Sequence, residues 1–138
     1  MTKTYLTLGL MLISALLLTV TPAFANDCDS TVDYNALGHL QYEQGEYSLA
    51  LASFTCELQS QPESAKVYNA RGNVYRNLGD YVSAVADYAK AIEIDEEYAI
   101  AYNNRGSSYF KLDDEDRALA DYNKALEIDP TLAYAYNN

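Results

Sequence analysis

Cys28 and Cys56 are the only cysteines in the chain. They lack C-x-x-C spacing, and acidic rather than basic neighbours flank them. Neither is therefore set up as a redox thiolate. An even count in a chain bound for an oxidising compartment points instead to a disulfide. His39 is the single histidine, one helical turn from Glu43. One histidine and one carboxylate are too few to hold zinc. The acidic runs 95–97 and 113–116 have neither the spacing nor the glycine of a calcium loop. They read as helix-terminal turns, with Glu115 and Asp116 opening a helix where acids are favoured. There is no Ser-His-Asp set, no Gly-rich phosphate loop and no G-x-S-x-G. The expectation is a protein that is not an enzyme and needs no metal or cofactor.

The elements that position these residues follow from a strict period. Tyr34, Tyr68, Tyr102 and Tyr136 recur at one constant interval. Gly38, Gly72 and Gly106 keep the same step, as do Ala50, Ala84 and Ala118. A gapless period of this length is the mark of stacked repeats. Within one period, Tyr68, Arg71, Gly72, Tyr75 and Leu78 share a helical face. Gly79 and Asp80 interrupt, and Val82, Val85, Ala86, Tyr88, Ala89 and Ile92 form a second amphipathic run. Each unit is therefore a helix–turn–helix. Gly45 and Gly79 occupy the turn, and Asp113 takes that slot in the third unit. Gly72 and Ala84 let the paired backbones approach, with rings such as Tyr75 and Tyr88 filling the space around them.

Units 65–98 and 99–132 share 17 of their 34 positions, whereas 31–64 and 65–98 share only 9. The first unit is thus the divergent end of the stack. In that unit Glu57 stands where Ala91 and Ala125 stand later. A carboxylate there is unfavourable if buried, so packing between units one and two is the contact that the repeat pattern secures least. Arg71 with Asp87, and Arg105 with Asp121, become Leu37 with Ser53 in unit one. The joint loss suggests an ion pair across each helix pair. Pairing of Asp87 with Arg105, or two independent surface charges, are the alternatives. Cys28 precedes the first helix and Cys56 lies late on the second, ends that are neighbours in an antiparallel pair.

Before the repeats, Lys3 leads an almost wholly apolar run over 6–20, Pro22 breaks it, and Ala23-Phe24-Ala25 is a small-x-small cleavage pattern. Residues 1–25 read as a secretory signal peptide. The run is shorter than the roughly 20 residues of a spanning helix, which disfavours an uncleaved anchor. The mature chain, 26–138, is then exported, periplasmic or secreted, and without a membrane segment. The formal net charge before cleavage is −11. Such a charge repels nucleic acid and anionic lipid.

Tyr102, Gly106, Tyr109, Ala118, Tyr122, Ala125 and Pro130 make the unit resemble a tetratricopeptide repeat, here of a bacterial, secreted type. The resemblance implies an all-α, right-handed superhelix with three full repeats (31–64, 65–98, 99–132) and the start of a fourth at 133–138. It also implies a groove lined by the first helix of each repeat, binding a protein or peptide. By position that groove holds Asn35, His39 and Tyr42 from unit one, Lys66, Asn69, Asn73 and Arg76 from unit two, and Asn103, Asn104, Ser107 and Phe110 from unit three. Asn35, Asn69, Asn103 and Asn137 repeat at the period and could bond an extended peptide backbone. Some family members grip a terminal carboxylate with basic and amide groups where this chain has His39, Ala70 and Ile100, which disfavours that class of ligand. The alternative to a binding scaffold is an assembly element that self-associates through an uncapped last repeat.

Overall fold

The computed structural model describes residues 28–132, and those residues form six helices and no strand. In chain order they are α1 (Tyr34–Glu43), α2 (Tyr47–Ser60), α3 (Ala65–Asn77), α4 (Tyr81–Ile94), α5 (Ala99–Lys111) and α6 (Glu115–Ile128). They pack as three antiparallel pairs, α1 with α2, α3 with α4 and α5 with α6, stacked in sequence order. The expected signal peptide, the partial fourth repeat and Asn137 lie outside the described residues.

Local chemistry sets the boundaries. Asp33, Asp80 and Asp114 each precede a helix and accept a bond from a first-turn amide, at 2.9, 3.0 and 3.1 Å. Each satisfies a donor that the helix start would otherwise leave unpaired. The turns inside the repeats need a left-handed residue. Gly45 and Gly79 adopt φ 77 and φ 80 degrees, and Asp113 takes the same position at φ 58 degrees.

Packing within a pair depends on small residues facing rings. A Cβ on Gly38 would sit 2.7 Å from the Phe54 ring, and one on Gly72 2.7 Å from the Tyr88 ring. Ala50, Ala84 and Ala118 are buried beside them. Tyr88 is fully enclosed, and its hydroxyl donates to Asn73 Oδ1 at 2.8 Å. The buried phenol thus keeps a partner. Burial pushes its ionisation well above the ordinary tyrosine range.

The two charge pairs lie within their repeats. Arg71 donates from Nε and Nη2 to Asp87 at 2.8 Å each, and Arg105 does the same to Asp121. Each guanidinium also lies over a tyrosine ring, where the π face attracts it. Arg71 is 5.6 Å from the Tyr68 ring centre. Arg105 is 5.5 Å from that of Tyr102. In unit one, Ser53 bonds Gln41 instead, at 2.7 Å.

The joint between the first two units is packed around Glu57. Ala50, Phe54 and Leu58 of α2 meet Val67, Ala70 and Val74 of α3 in one continuous apolar cluster. Glu57 is buried, but Gln61, one turn on, donates to its carboxylate. Arg71 reaches across the joint to Thr55 at 3.2 Å. The second joint is the more polar one. Ala91, Ile92 and Ala101 form a smaller cluster there, and the buried Asn69 and Asn104 bond each other nearby. Cys28 and Cys56 are bonded, with Cα atoms 5.4 Å apart. That separation is ordinary for a disulfide, and the bond ties the lead-in segment to α2.

Candidate functional site

Helices α1, α3 and α5 form the row that the stack turns toward one side, and α3 sits between the other two. A hollow of about 230 Å³ opens where α1 meets α3. Five of the expected groove residues line it: His39, Tyr42, Lys66, Asn69 and Asn73. Phe54, Ala70 and Tyr98 complete the lining. Phe54 supplies a floor, and His39 meets its ring edge-on at 5.2 Å.

The amides around this hollow are already oriented. Asn104 donates to Asn69 Oδ1 at 3.0 Å, and Tyr88 donates to Asn73 Oδ1 at 2.8 Å. Both oxygens are therefore engaged from behind. An amide that accepts through its oxygen has its nitrogen left as a donor. With Lys66 the lining becomes rich in donors and poor in acceptors. Arg76 is held behind it by a 3.2 Å bond to Asn104 Oδ1. Asn77 donates to Tyr42 Oη at 2.7 Å, which fixes the tyrosine of unit one against unit two.

Charge is distributed in the same sense. Among the described residues, Arg71, Lys90, Arg105, Arg117 and Lys124 each form an ion pair. Lys66 and Arg76 of α3 form none, and neither does Lys111 at the far end of α5. An overall acidic chain thus keeps two cations on α3 without a carboxylate partner among the described residues.

The remaining expected residues are distributed differently. Asn35 is exposed on α1, and Asn103 and Ser107 are half-buried on α5; none of the three lines the hollow. Asn104 is buried and works through Asn69 and Arg76 rather than facing the cavity. Phe110 lines a separate apolar hollow at the far end with Leu119 and Tyr122. The asparagines of the periodic row are consequently unequal, since Asn69 is buried and braces its neighbour. Position in the repeat does not point to Phe54, Ala70 and Tyr98 in the lining. Their approach depends on how one pair rotates on the next, which no local pattern records. Asn104 does leave a signal, because it stands at a position held by Ala36 and Ala70 in units one and two.

The architecture defines the class: a solenoid of antiparallel helix pairs whose first helices share one face. Two family models, "TPR repeat" and "Tetratricopeptide repeat", match residues 72–113 and 99–132. Residues 72–132 therefore match repeats of the tetratricopeptide family, and α1 and α2 extend the same architecture ahead of them. No curated protein matches the sequence. Among solved structures, the first TPR of Spaghetti (RPAP3) bound to the HSP90 peptide SRMEEVD is similar at 25% identity and a TM-score of 0.71, covering 78% of this chain and 85% of that one. The Arabidopsis OM64 TPR domain is 26% identical, with a TM-score of 0.70 and coverage of 71% and 81%. MamA is 27% identical, with a TM-score of 0.68, and the match covers 73% of this chain but 59% of MamA.

Proposed function

We propose that the chain is a non-catalytic binding scaffold whose hollow between α1 and α3 takes an extended, acidic peptide segment. The carrying observation is the donor-rich lining. Asn69 and Asn73 have their oxygens bonded from behind, and Lys66 beside them has no ion-pair partner among the described residues. Such a surface suits peptide carbonyls and carboxylates, and it disfavours lysine- or arginine-rich segments. The peptide-bound Spaghetti structure supports a peptide ligand over the assembly reading, because a similar array holds a peptide there. Ala70 and Ile100 leave fewer polar groups on α3 and α5 than a tight grip on a terminal carboxylate needs. The reading is therefore of an internal acidic segment.

The chain is further read as exported, with cleavage after Ala25. The Cys28–Cys56 bridge supports this, since such bonds persist in oxidising compartments. A fluorescein-labelled Glu/Ser peptide and its Lys/Ser counterpart test the binding by anisotropy. The acidic peptide should bind and the basic one should not. Lys66→Glu, at an exposed side chain, should weaken binding at least about tenfold, the worth of one charge-assisted bond. Equal affinity for both peptides, or indifference to Lys66→Glu, would refute the reading.

A further inference from the structure

The last repeat presents a second surface, on α6, that the two earlier repeats cover. Leu126 is 37% exposed, whereas Leu58 and Ile92, at the same position in units one and two, are 8% exposed. Leu119 is 61% exposed, and its counterparts Leu51 and Val85 are half-buried. Phe54 and Tyr88 are enclosed, while the matching Tyr122 remains partly open and lines a hollow of about 400 Å³ with Phe110 and Leu119.

The inner joints show what fits such a face. There it receives a helix whose inward side chains are small or medium: Val67, Ala70 and Val74 on α3, or Ala101 and Ser108 on α5. That helix starts near the end of its predecessor, because the linking loops are short, and so finishes near the predecessor's start. On α6 this start carries Glu115 and Asp116, which rim the hollow. The equivalent positions are Tyr47 and Ser48 in unit one, and Tyr81 and Val82 in unit two. A helix dipole favours acids at any helix start, yet α2 and α4 have none in their first turns. Among the described residues, neither Glu115 nor Asp116 forms an ion pair. Negative charge has thus been placed on the rim of the α6 face, which no described repeat covers.

We infer that this end of the stack docks an amphipathic helix of another protein, with small apolar residues inward and lysine or arginine in its last turn. Basic residues there match both the acidic rim and the negative end of the incoming helix's own dipole. A second copy of this chain fits less well. Its outward α1 face presents Asp33 where Val67 and Ala101 stand in the inner joints, and both molecules are strongly acidic.

The test uses the full chain and a labelled synthetic helix with Ala and Val on one face and Lys in its last turn. Its control has Glu in place of Lys. The Lys helix should bind and the Glu helix should not. Leu119→Ser should weaken binding at least about tenfold, the worth of one largely buried leucine, with the circular dichroism unchanged because the site is exposed. Glu115→Lys with Asp116→Lys should reverse the preference toward the Glu helix, and Lys66→Glu should leave it unaltered. Binding indifferent to Leu119→Ser, or abolished by Lys66→Glu, would overturn the inference. So would a dimer in light scattering that Leu119→Ser dissolves, or binding that appears only once residues 133–138 are deleted.

Discussion

Removing Asp87 should harm the protein more than removing Asp87 and Arg71 together. The Arg71 side chain is 18% exposed and that of Asp87 9%, and they share two bonds of 2.8 Å. Breaking one side of a fully buried pair costs about 3–5 kcal/mol, because the other charge is stranded. Asp87→Ser leaves Arg71 with its bond to Thr55 and some access to water. About 2 kcal/mol is expected for that change. Arg71→Leu strands the more enclosed carboxylate and should cost about 3 kcal/mol. The double change installs the pair that unit one already has, Leu37 opposite Ser53. It should fall within about 1 kcal/mol of wild type. Urea unfolding of all four proteins, with the disulfide intact, gives a coupling energy of at least about 2 kcal/mol. In thermal melts the single changes should lower Tm by about 4–8 °C per kcal/mol, and the double change should recover most of the loss. If the two single effects simply add, the charges act independently and the pairing contributes nothing to the fold.

Two further outcomes follow from the same contacts. Asn69→Ala should destabilise the chain by about 1–3 kcal/mol in urea unfolding, because it strands the buried Asn104 amide. Asn103→Ala, at a half-buried site, should be nearly neutral. Cys28 and Cys56 stand at a sequence separation of 28. Reducing their bond should cost about 3.5 kcal/mol by the chain-entropy model, read as a lower urea midpoint in reductant.

The fold was legible because the period is unbroken. Tyrosine, glycine and alanine recur without insertion, and each has a steric reason to recur. The Arg–Asp pairs were readable from the unit that lacks both partners, and the turn at Asp113 from its register with Gly45 and Gly79. The bridge was readable because an antiparallel pair brings its outer ends together. The site was legible only in part. Position in the repeat placed Lys66, Asn69 and Asn73 on the inner helix, but it treated all asparagines of the row alike. Burial separates them, and burial depends on the neighbouring unit. Asn104 stands where units one and two carry Ala36 and Ala70, and Asn138 is its only periodic counterpart, so the bond that orients Asn69 leaves little trace in the repeat pattern. Glu57 looked unfavourable because its partner Gln61 lies in a linker where the other units carry aspartate.

Each helix touches mainly the next one along the chain, with only slight contact between α1 and α3 and between α3 and α5. Such a molecule has no centre that must form before the rest. Its contacts are short in sequence, so it should fold on the fast side for its length. Opening can begin at an end and travel inward one pair at a time. The two ends differ, because the bridge clasps α2 to the lead-in of α1 and no covalent tie within the described residues holds α5 to α6. Amide exchange should therefore run as a gradient, fastest in α6, slower in α4 and slowest toward α2. The surface offered to a partner helix would then lie on the part of the molecule that breathes most readily, and a partner docked there would slow exchange well beyond its own footprint.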